Sequence, residues 1–580
     1  MEKTKMVHLK INGIPTEVPA GSTIIEAAKT VNIEIPSLCY LKGINCIGAC
    51  RVCVVEIVGR RGLVAACVYP AEEGMEVLTN TAKVRASRKT TIELILSSHH
   101  KKCLSCVRGN NCELQKLAFD YGVDEDRFKG EDVIYPIDDQ SPYIVRDNNK
   151  CIQCMRCVAA CKNMQSVSVI GPIKRGFNVH VGCAFEKSLG ESPCVGCGQC
   201  IVACPVGALN EKSQIDQVWD AISNPKKKVV FFTAPSIRAT LGEAFGMPIG
   251  TNVEGQMVAS IRRLGVDKVF NMDVTADLTI LEEANELIER IQNKKPMPMF
   301  TSCCPGWIKF CEHYYPDFLP HLSSCKSPQQ MFGAVLKSYY CQKHGIDPKD
   351  LFVVSIIPCT AKKFEVTREE LRTFEFDDVD VALTTRELGK MIKGAGIKFV
   401  DMKPEEFDNP FEIASGAGAI FGATGGVMEA ALRTAAVKLD GSCKAIEFKE
   451  VRGTKEIKEA TYKVGGVELN VCVASGLANA RKIIEQIKSG EKKYDFVEIM
   501  ACPGGCINGG GQPVQSDSVR NYTDLKAMRA KALYDADKSM KLRKSHESPV
   551  IKLLYDEYFD KPGSPRAHKL LHTTYVKRGK

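Results

Sequence analysis

The chain has 580 residues, 44% of them hydrophobic and 25% charged, which excludes disordered and fibrous classes and leaves room for several domains. No apolar run approaches the ~18 residues of a membrane span, and Met1-Glu2-Lys3-Thr4-Lys5 followed by alternating apolar and polar residues lacks a signal-peptide core, so a cytoplasmic location is expected. Most of the formal charge of +9 sits in residues 521–580, where 14 Lys and Arg face 7 Asp and Glu; this permits a local basic tail contact and argues against a general affinity for nucleic acid.

Twenty-seven cysteines, grouped largely as C-x2-C in a long chain without an export signal, point to metal ligation rather than disulfides. Residues 6–18 alternate around Asn12-Gly13, a hairpin signal, and Thr23 with Glu26 forms a capping-box pair ahead of a helix. A cysteine-rich loop, a strand over Val52–Val58 and a turn at Gly59–Gly62 complete a small α+β unit. Within it Cys39, Cys50, Cys53 and Cys67 are spaced C-x10-C-x2-C-x13-C, a thiolate set that suits a 2Fe-2S cluster; a structural zinc is the alternative, and Cys46 lies in the same loop as a competitor. A helical stretch, Lys83–Ser98, leads into His99, Cys103, Cys106 and Cys112, with His100 as an equally placed imidazole. Beyond a polar linker, Asp124–Pro142, two runs of C-x2-C-x2-C-x3-C follow: Cys151, Cys154, Cys157, Cys161, then Cys194, Cys197, Cys200, Cys204. In two-cluster ferredoxins the fourth cysteine of each run ligates the other cluster, so Cys204 joins the first three and Cys161 the second three. Lys162 stands where the first run would carry proline, and Cys183 reads as a buried thiol.

From about Lys226 strands and helices alternate, as in α/β architecture. Val229–Thr233 ends at Ala234-Pro235. Met299-Phe300 leads to Cys303-Cys304, Phe352–Ile357 to Pro358-Cys359, and Phe496–Met500 to Ala501-Cys502. Open α/β sheets place ligands at the carboxyl ends of their strands, so these cysteines are expected to share one site.

Four motifs make the reading specific: Thr301-Ser302-Cys303-Cys304-Pro305, Pro358-Cys359-Thr360-Ala361-Lys362-Lys363, Gly418–Gly426, and Met500-Ala501-Cys502-Pro503-Gly504-Gly505-Cys506 continuing to Pro513. Together they resemble the catalytic domain of iron-only (FeFe) hydrogenases, and the resemblance spans essentially the whole chain. It implies a multidomain α+β and α/β protein: a β-grasp 2Fe-2S domain over 1–82, a His/Cys 4Fe-4S domain over 83–125, a two-cluster ferredoxin-like domain over 140–212, a large α/β catalytic domain with parallel-sheet lobes over 226–520, and a small-subunit-like wrap over 521–580. The spacing around His99 is similar to the histidine-ligated 4Fe-4S site of such proteins.

By the same resemblance, Cys304, Cys359, Cys502 and Cys506 would hold the H-cluster, a 4Fe-4S cluster bridged to a diiron subsite bearing carbon monoxide, cyanide and azadithiolate. One 2Fe-2S and three accessory 4Fe-4S clusters would feed it. Lys362 would pair with a cyanide, with Lys363 as a surface neighbour, and Ala234, Pro235, Ser236, Pro328, Gln329, Phe421 and Met500 would line the pocket. The implied proton path runs Cys303, Glu283, Ser323, Glu286. Glu283 and Glu286 are three apart on an expected helix, Leu281–Ile291; standing alone, Glu286 and Arg290 would read as an exposed ion pair. Ile357 and Pro503 occupy positions where many relatives carry methionine and histidine. Implied partners are ferredoxin, hydrogenase maturation proteins, and flavin- and NAD(P)-binding subunits of an electron-bifurcating complex. A stand-alone ferredoxin hydrogenase and a non-catalytic iron-sulfur electron-transfer or assembly protein are the alternatives. Cys311, Cys325, Cys341, Cys443 and Cys472 fall outside ligand spacing and read as small apolar residues, and His546 and His568 as structural.

Overall fold

The computed structural model describes residues 5–440, 448–464 and 466–579; Cys443 lies outside them. The first hairpin joins Met6–Ile11 to Ile14–Pro19 in antiparallel register, with Ile11 opposite Ile14. Asn12 and Gly13 both take positive φ (51° and 81°), the turn that matches strand twist. These strands extend a five-stranded sheet through Glu76–Leu78, Val54–Ile57 and Leu63–Ala65. Helix Ile24–Thr30 carries the expected capping box and buries Ile24, Ile25, Ala27 and Ala28 against the sheet. The third strand is shorter than its apolar run, because Val52 and Cys53 belong to the loop that turns the thiols inward.

Helix Ala82–Ser97 and helix Glu113–Asp120 bracket the second cysteine group. The two cysteine-rich runs then fold on nearly the same plan. Each reverses at a left-handed residue, Met155 (φ 61°) in one and Gly198 (φ 68°) in the other, before a short helix, Arg156–Ala159 or Gln199–Ala203. The runs are closed by an antiparallel pair, Ile144–Arg146 with Leu209–Glu211, and by a hairpin of Gly171–Ile173 and His180–Gly182.

The remainder is built on two four-stranded sheets. In the first, Lys268–Asn271, Lys228–Thr233, Leu351–Ile357 and Val381–Thr384 are all parallel, and near-continuous apolar runs such as Val229–Phe232 are buried on both faces. In the second, Met299–Phe300, Phe496–Met500 and Val467–Ser475 are parallel. Its last strand, Ile457–Val464, departs from the expected all-parallel lobe: it pairs antiparallel with Val467–Ser475, since a connection of two residues is too short for a crossover.

The final segment does not make a core of its own. Leu554, Phe559, Ala567, Leu570 and Leu571, from helices Pro549–Leu554 and Pro565–Leu571 and the turn between them, pack into the apolar cluster of the first sheet. Asp537 of helix Leu525–Ser539 is buried against the guanidinium of Arg433, 2.9 Å away. Among the described residues no helix is long and apolar enough to cross a membrane.

Candidate active site

The carboxyl ends of both sheets face one cavity. Each strand end delivers its residues through a tight connection. Met299–Phe300 gives Cys303 and Cys304 just ahead of helix Pro305–Tyr314; Leu351–Ile357 gives Cys359; Phe496–Met500 gives Cys502; and Cys506 opens a short helical turn. All five thiols line the cavity, as do Lys362, Ala234, Pro235, Ser236, Pro328, Gln329, Phe421 and Met500. Ile357 is in the wall as well, together with Met272 and Ala276, two positions without a sequence signal. Gly505 stands at φ 97° and packs so closely on the Ala423-Thr424 backbone that a Cβ would lie 2.7 Å from the Thr424 nitrogen.

Burial is the dominant electrostatic fact of this cavity. It holds the protons on Cys303, Cys304, Cys359, Cys502 and Cys506, pushing Cys359 up to about 12 and Cys303 and Cys502 well above the ordinary thiol range. Four cysteine sulfurs converging from three segments, with no disulfide among them, form a donor set suited to a 4Fe-4S cluster.

Lys362 reaches this cavity from the start of helix Lys362–Glu365. Its Nζ donates to the Cys303 carbonyl (3.2 Å) and to Glu365 Oε2 (2.8 Å), which also accepts from Ser327 Oγ and Gln329 Nε2. The sequence reading overlooked Glu365, although an acidic residue three positions after a lysine on a helix is a recognisable pair. Lys363 requires a correction. It is 1% exposed rather than superficial, and its ammonium is paired with Glu387 (2.9 Å) and donates to the Ala382 carbonyl. The physical reason is that its long side chain completes the buried capping box that starts helix Thr385–Gly394.

The proposed proton carriers lie on one face of helix Asp273–Gln292, nearly twice the expected length, and on the facing loop. Both carboxylate oxygens of Glu283 are buried without a hydrogen-bond partner. Burial first, and then the charge of Glu286, raises its pKa to about 8. Ser323 Oγ donates to Glu286 Oε2 at 2.9 Å. Glu286 and Arg290 do form an ion pair (2.6 Å), but its side chains are 11% and 7% exposed, and the guanidinium also donates to the carbonyls of Pro296, Pro320 and Leu322. The isolated-helix picture of an exposed pair fails because the 316–324 segment covers it.

The accessory cysteines also gather in groups. The thiols of Cys39, Cys50, Cys53 and Cys67 lie close enough to perturb one another's protonation, whereas Cys46 is exposed. Cys151, Cys154, Cys157 and Cys204 line a separate small cavity, and Cys161 instead senses Cys194 and is itself felt by Cys197 and Cys200. His99 is largely buried, its pKa pushed down to about 4 by burial, and its Nδ1 has no partner; His100 is exposed. Contacts link the groups. Asn45 Nδ2 donates both to Cys39 O (2.7 Å) and to Cys154 O (3.1 Å). The backbone at Gly207 presses on Cys106, such that a Cβ there would lie 2.5 Å from its sulfur. Cys197 itself forms part of the large cavity wall, with its carbonyl 4.0 Å from the Cys502 sulfur. Cys183, Cys311, Cys325, Cys341 and Cys472 are buried.

Comparison with known proteins agrees with this layout. A family model described as iron only hydrogenase large subunit, C-terminal domain, matches residues 227–510, and one for the iron hydrogenase small subunit matches 523–578. Upstream, models match for a 2Fe-2S iron-sulfur cluster binding domain (4–82), the NADH-ubiquinone oxidoreductase-G iron-sulfur binding region (88–127) and the ferredoxin-like domain of NADH-quinone oxidoreductase subunit 3 (141–210). NADP-reducing hydrogenase subunit HndD of Solidesulfovibrio fructosivorans is 46% identical, over 99% of both chains. Iron hydrogenase 1 of Clostridium pasteurianum is 44% identical, over 99% of this chain and 100% of that one. Among solved structures, an apo [FeFe]-hydrogenase HydA1 variant from Chlamydomonas reinhardtii is 42% identical with a TM-score of 0.57, covering 64% of this chain and 100% of that one.

Proposed function

The chain belongs to the iron-only hydrogenases, and from that premise we propose that it interconverts two protons and two electrons with hydrogen at an H-cluster held by Cys304, Cys359, Cys502 and Cys506. One observation carries the reading: strand ends from two separate sheets bring these four thiols, a fifth thiol and one ammonium to a single buried cavity. When bound, the H-cluster supplies low-valent iron with carbon monoxide, cyanide and azadithiolate ligands, on which hydrogen is made or split.

The chain's own residues supply the surroundings. Lys362, oriented by Glu365, offers a compact positive charge to an anionic ligand. Ala234, Pro235, Ser236, Pro328, Gln329, Phe421 and Met500 shape the wall, its apolar members excluding water. Cys303 holds a proton beside the cavity; Glu283, kept protonated near pH 7 by burial, can give up its own proton on one side as it takes one on the other, and Ser323 and Glu286 continue the route outward. The domains over 1–82, 83–125 and 140–212 would carry one 2Fe-2S and three 4Fe-4S clusters, with 226–520 as the catalytic domain and 521–580 as its wrap.

The same proposal extends to partners: the chain acts as the hydrogenase subunit of an electron-bifurcating complex with flavin- and NAD(P)-binding subunits and ferredoxin. One fact favours this over a stand-alone ferredoxin enzyme. The relative HndD is described as a subunit of an NADP-reducing hydrogenase. Anaerobically matured protein should contain about twenty irons by cluster stoichiometry and show iron-bound carbonyl and cyanide infrared bands. Matured protein lacking those bands would refute the catalytic reading, and a lone chain purifying from its host with full ferredoxin-dependent activity would refute the complex.

A further inference from the structure

We propose that Lys309 tunes the electron route: its buried ammonium raises the reduction potential of the 4Fe-4S cluster of Cys161, Cys194, Cys197 and Cys200, so that an electron waits beside the active-site cavity. The inference rests on the two-cluster reading of residues 140–212. Lys309 is 7% exposed and lies on helix Pro305–Tyr314, which starts directly after Cys304 and so spans from one metal region toward the other. Its Nζ donates to Tyr143 Oη at 2.8 Å, and that hydroxyl donates in turn to the Cys194 carbonyl, also at 2.8 Å. The Tyr143 ring packs on the same cysteine loop, so closely that a Cβ on Gly196 would lie 3.3 Å from it.

Among the described residues no carboxylate forms an ion pair with this ammonium. It is held instead by aromatic faces, 4.4 Å from the Phe364 ring centroid and 4.9 Å from that of Tyr143, the two rings standing edge to face. Glu312, three residues on along the helix and fully buried, is already taken by Arg368 (2.5 Å) and Arg578 (2.7 Å). Both of these guanidinium groups also lie within 6.0 Å of the Phe364 ring. Glu370, 3.7 Å from each, is the second carboxylate of the group. Three cations therefore face two carboxylates, and the excess positive charge lies on the side of Cys194. Burial lowers the pKa of Lys309 to about 8, which leaves it charged at neutral pH. Water and salt screen a buried charge far less than a surface one.

A cluster gains one negative charge when it is reduced, and its potential follows the net charge, hydrogen bonding and solvent access around it. A fixed cation nearby favours the reduced form. The electron comes from the cluster of Cys151, Cys154, Cys157 and Cys204, which is oxidised as its neighbour is reduced, and Lys309 keeps its proton throughout. The placement makes this the step that matters. The Cys194–Cys200 loop is clasped by the active-site loops: Thr360 Oγ1 donates to the Gly196 carbonyl (2.6 Å), Gln199 Nε2 donates to the Asn508 carbonyl (3.0 Å), and the Cys197 carbonyl lies 4.0 Å from the Cys502 sulfur. Lys309 thus acts on the last accessory cluster before the cavity.

The test is a potentiometric titration of the matured full-length enzyme followed by electron paramagnetic resonance, with Lys309→Met, Lys309→Arg and Glu312→Gln variants of equal iron content. The cluster in question is identified by its magnetic coupling to the H-cluster. In Lys309→Met it should become harder to reduce, its reduction equilibrium falling at least about tenfold, or ~59 mV for a one-electron couple. Lys309→Arg, which keeps the charge, should stay within about twofold of the parent, and Glu312→Gln, which removes a negative charge, should shift the potential upward. No shift in Lys309→Met, or an equal fall in the arginine variant, overturns the proposal, the latter because packing and not charge would then be responsible. Should the methionine variant fail to assemble, Glu312→Gln decides: a rise upholds the proposal, and an unchanged or lowered potential overturns it. A parent enzyme with fewer than three accessory 4Fe-4S signals refutes the cluster reading itself, and the inference with it.

Discussion

Replacing Glu283 by glutamine isolates the cost of keeping a carboxyl group in the buried proton route. The group is 1% exposed, unpartnered at both oxygens, and held at a pKa of about 8 against an ordinary value of 4.5. For an acid raised on folding, stability is full below pH 4.5 and declines as pH rises toward 8. Over that window each pH unit costs about 1.4 kcal/mol, so the total approaches 5 kcal/mol and then levels off. Glutamine does not titrate, so the stability difference between the variant and the parent should grow in the variant's favour from pH 5 to pH 8, reaching several degrees in midpoint temperature. Thermal unfolding of both proteins in the same maturation state, followed across that range, measures it. Hydrogen evolution should move in the opposite direction, falling by about two orders of magnitude or more because the amide cannot carry the proton. A stability difference independent of pH would refute the claim that Glu283 is held neutral. Retained turnover would refute its place in the route.

Cys303→Ala should leave the infrared bands of the assembled cluster intact while lowering hydrogen evolution at least about a hundredfold; retained evolution would remove the thiol from the relay. Lys363→Met strands the buried Glu387 carboxylate, so chemical denaturation should show a loss of about 3–5 kcal/mol, against less than about 0.5 kcal/mol for a surface lysine. Gly207→Ala places a methyl against the Cys106 sulfur and should cost about 1–3 kcal/mol of local packing; iron analysis and electron paramagnetic resonance should then show one 4Fe-4S cluster depleted, with the infrared bands of the active site unchanged.

Much of this protein was legible in one dimension because its strongest signals are local. C-x2-C spacings, the Asn12-Gly13 turn, the Thr23 and Glu26 capping box and the strand-then-cysteine segments all act over a few residues, and each reappears in the fold. Linear order also indicated that Cys304, Cys359 and Cys502 would meet, since strand ends of an open sheet share an edge. Other features depended on approach between segments hundreds of residues apart. The burial of Lys363, the hold of Glu365 on Lys362 and the Asn45 link between two cysteine groups are set by side-chain reach in three dimensions. The same holds for Cys325, an unremarkable apolar filler by spacing, which the C-terminal strap places beside His572 and Glu286. Periodicity and spacing report what a segment buries; which charges face one another after burial is decided only by the packing of the complete chain.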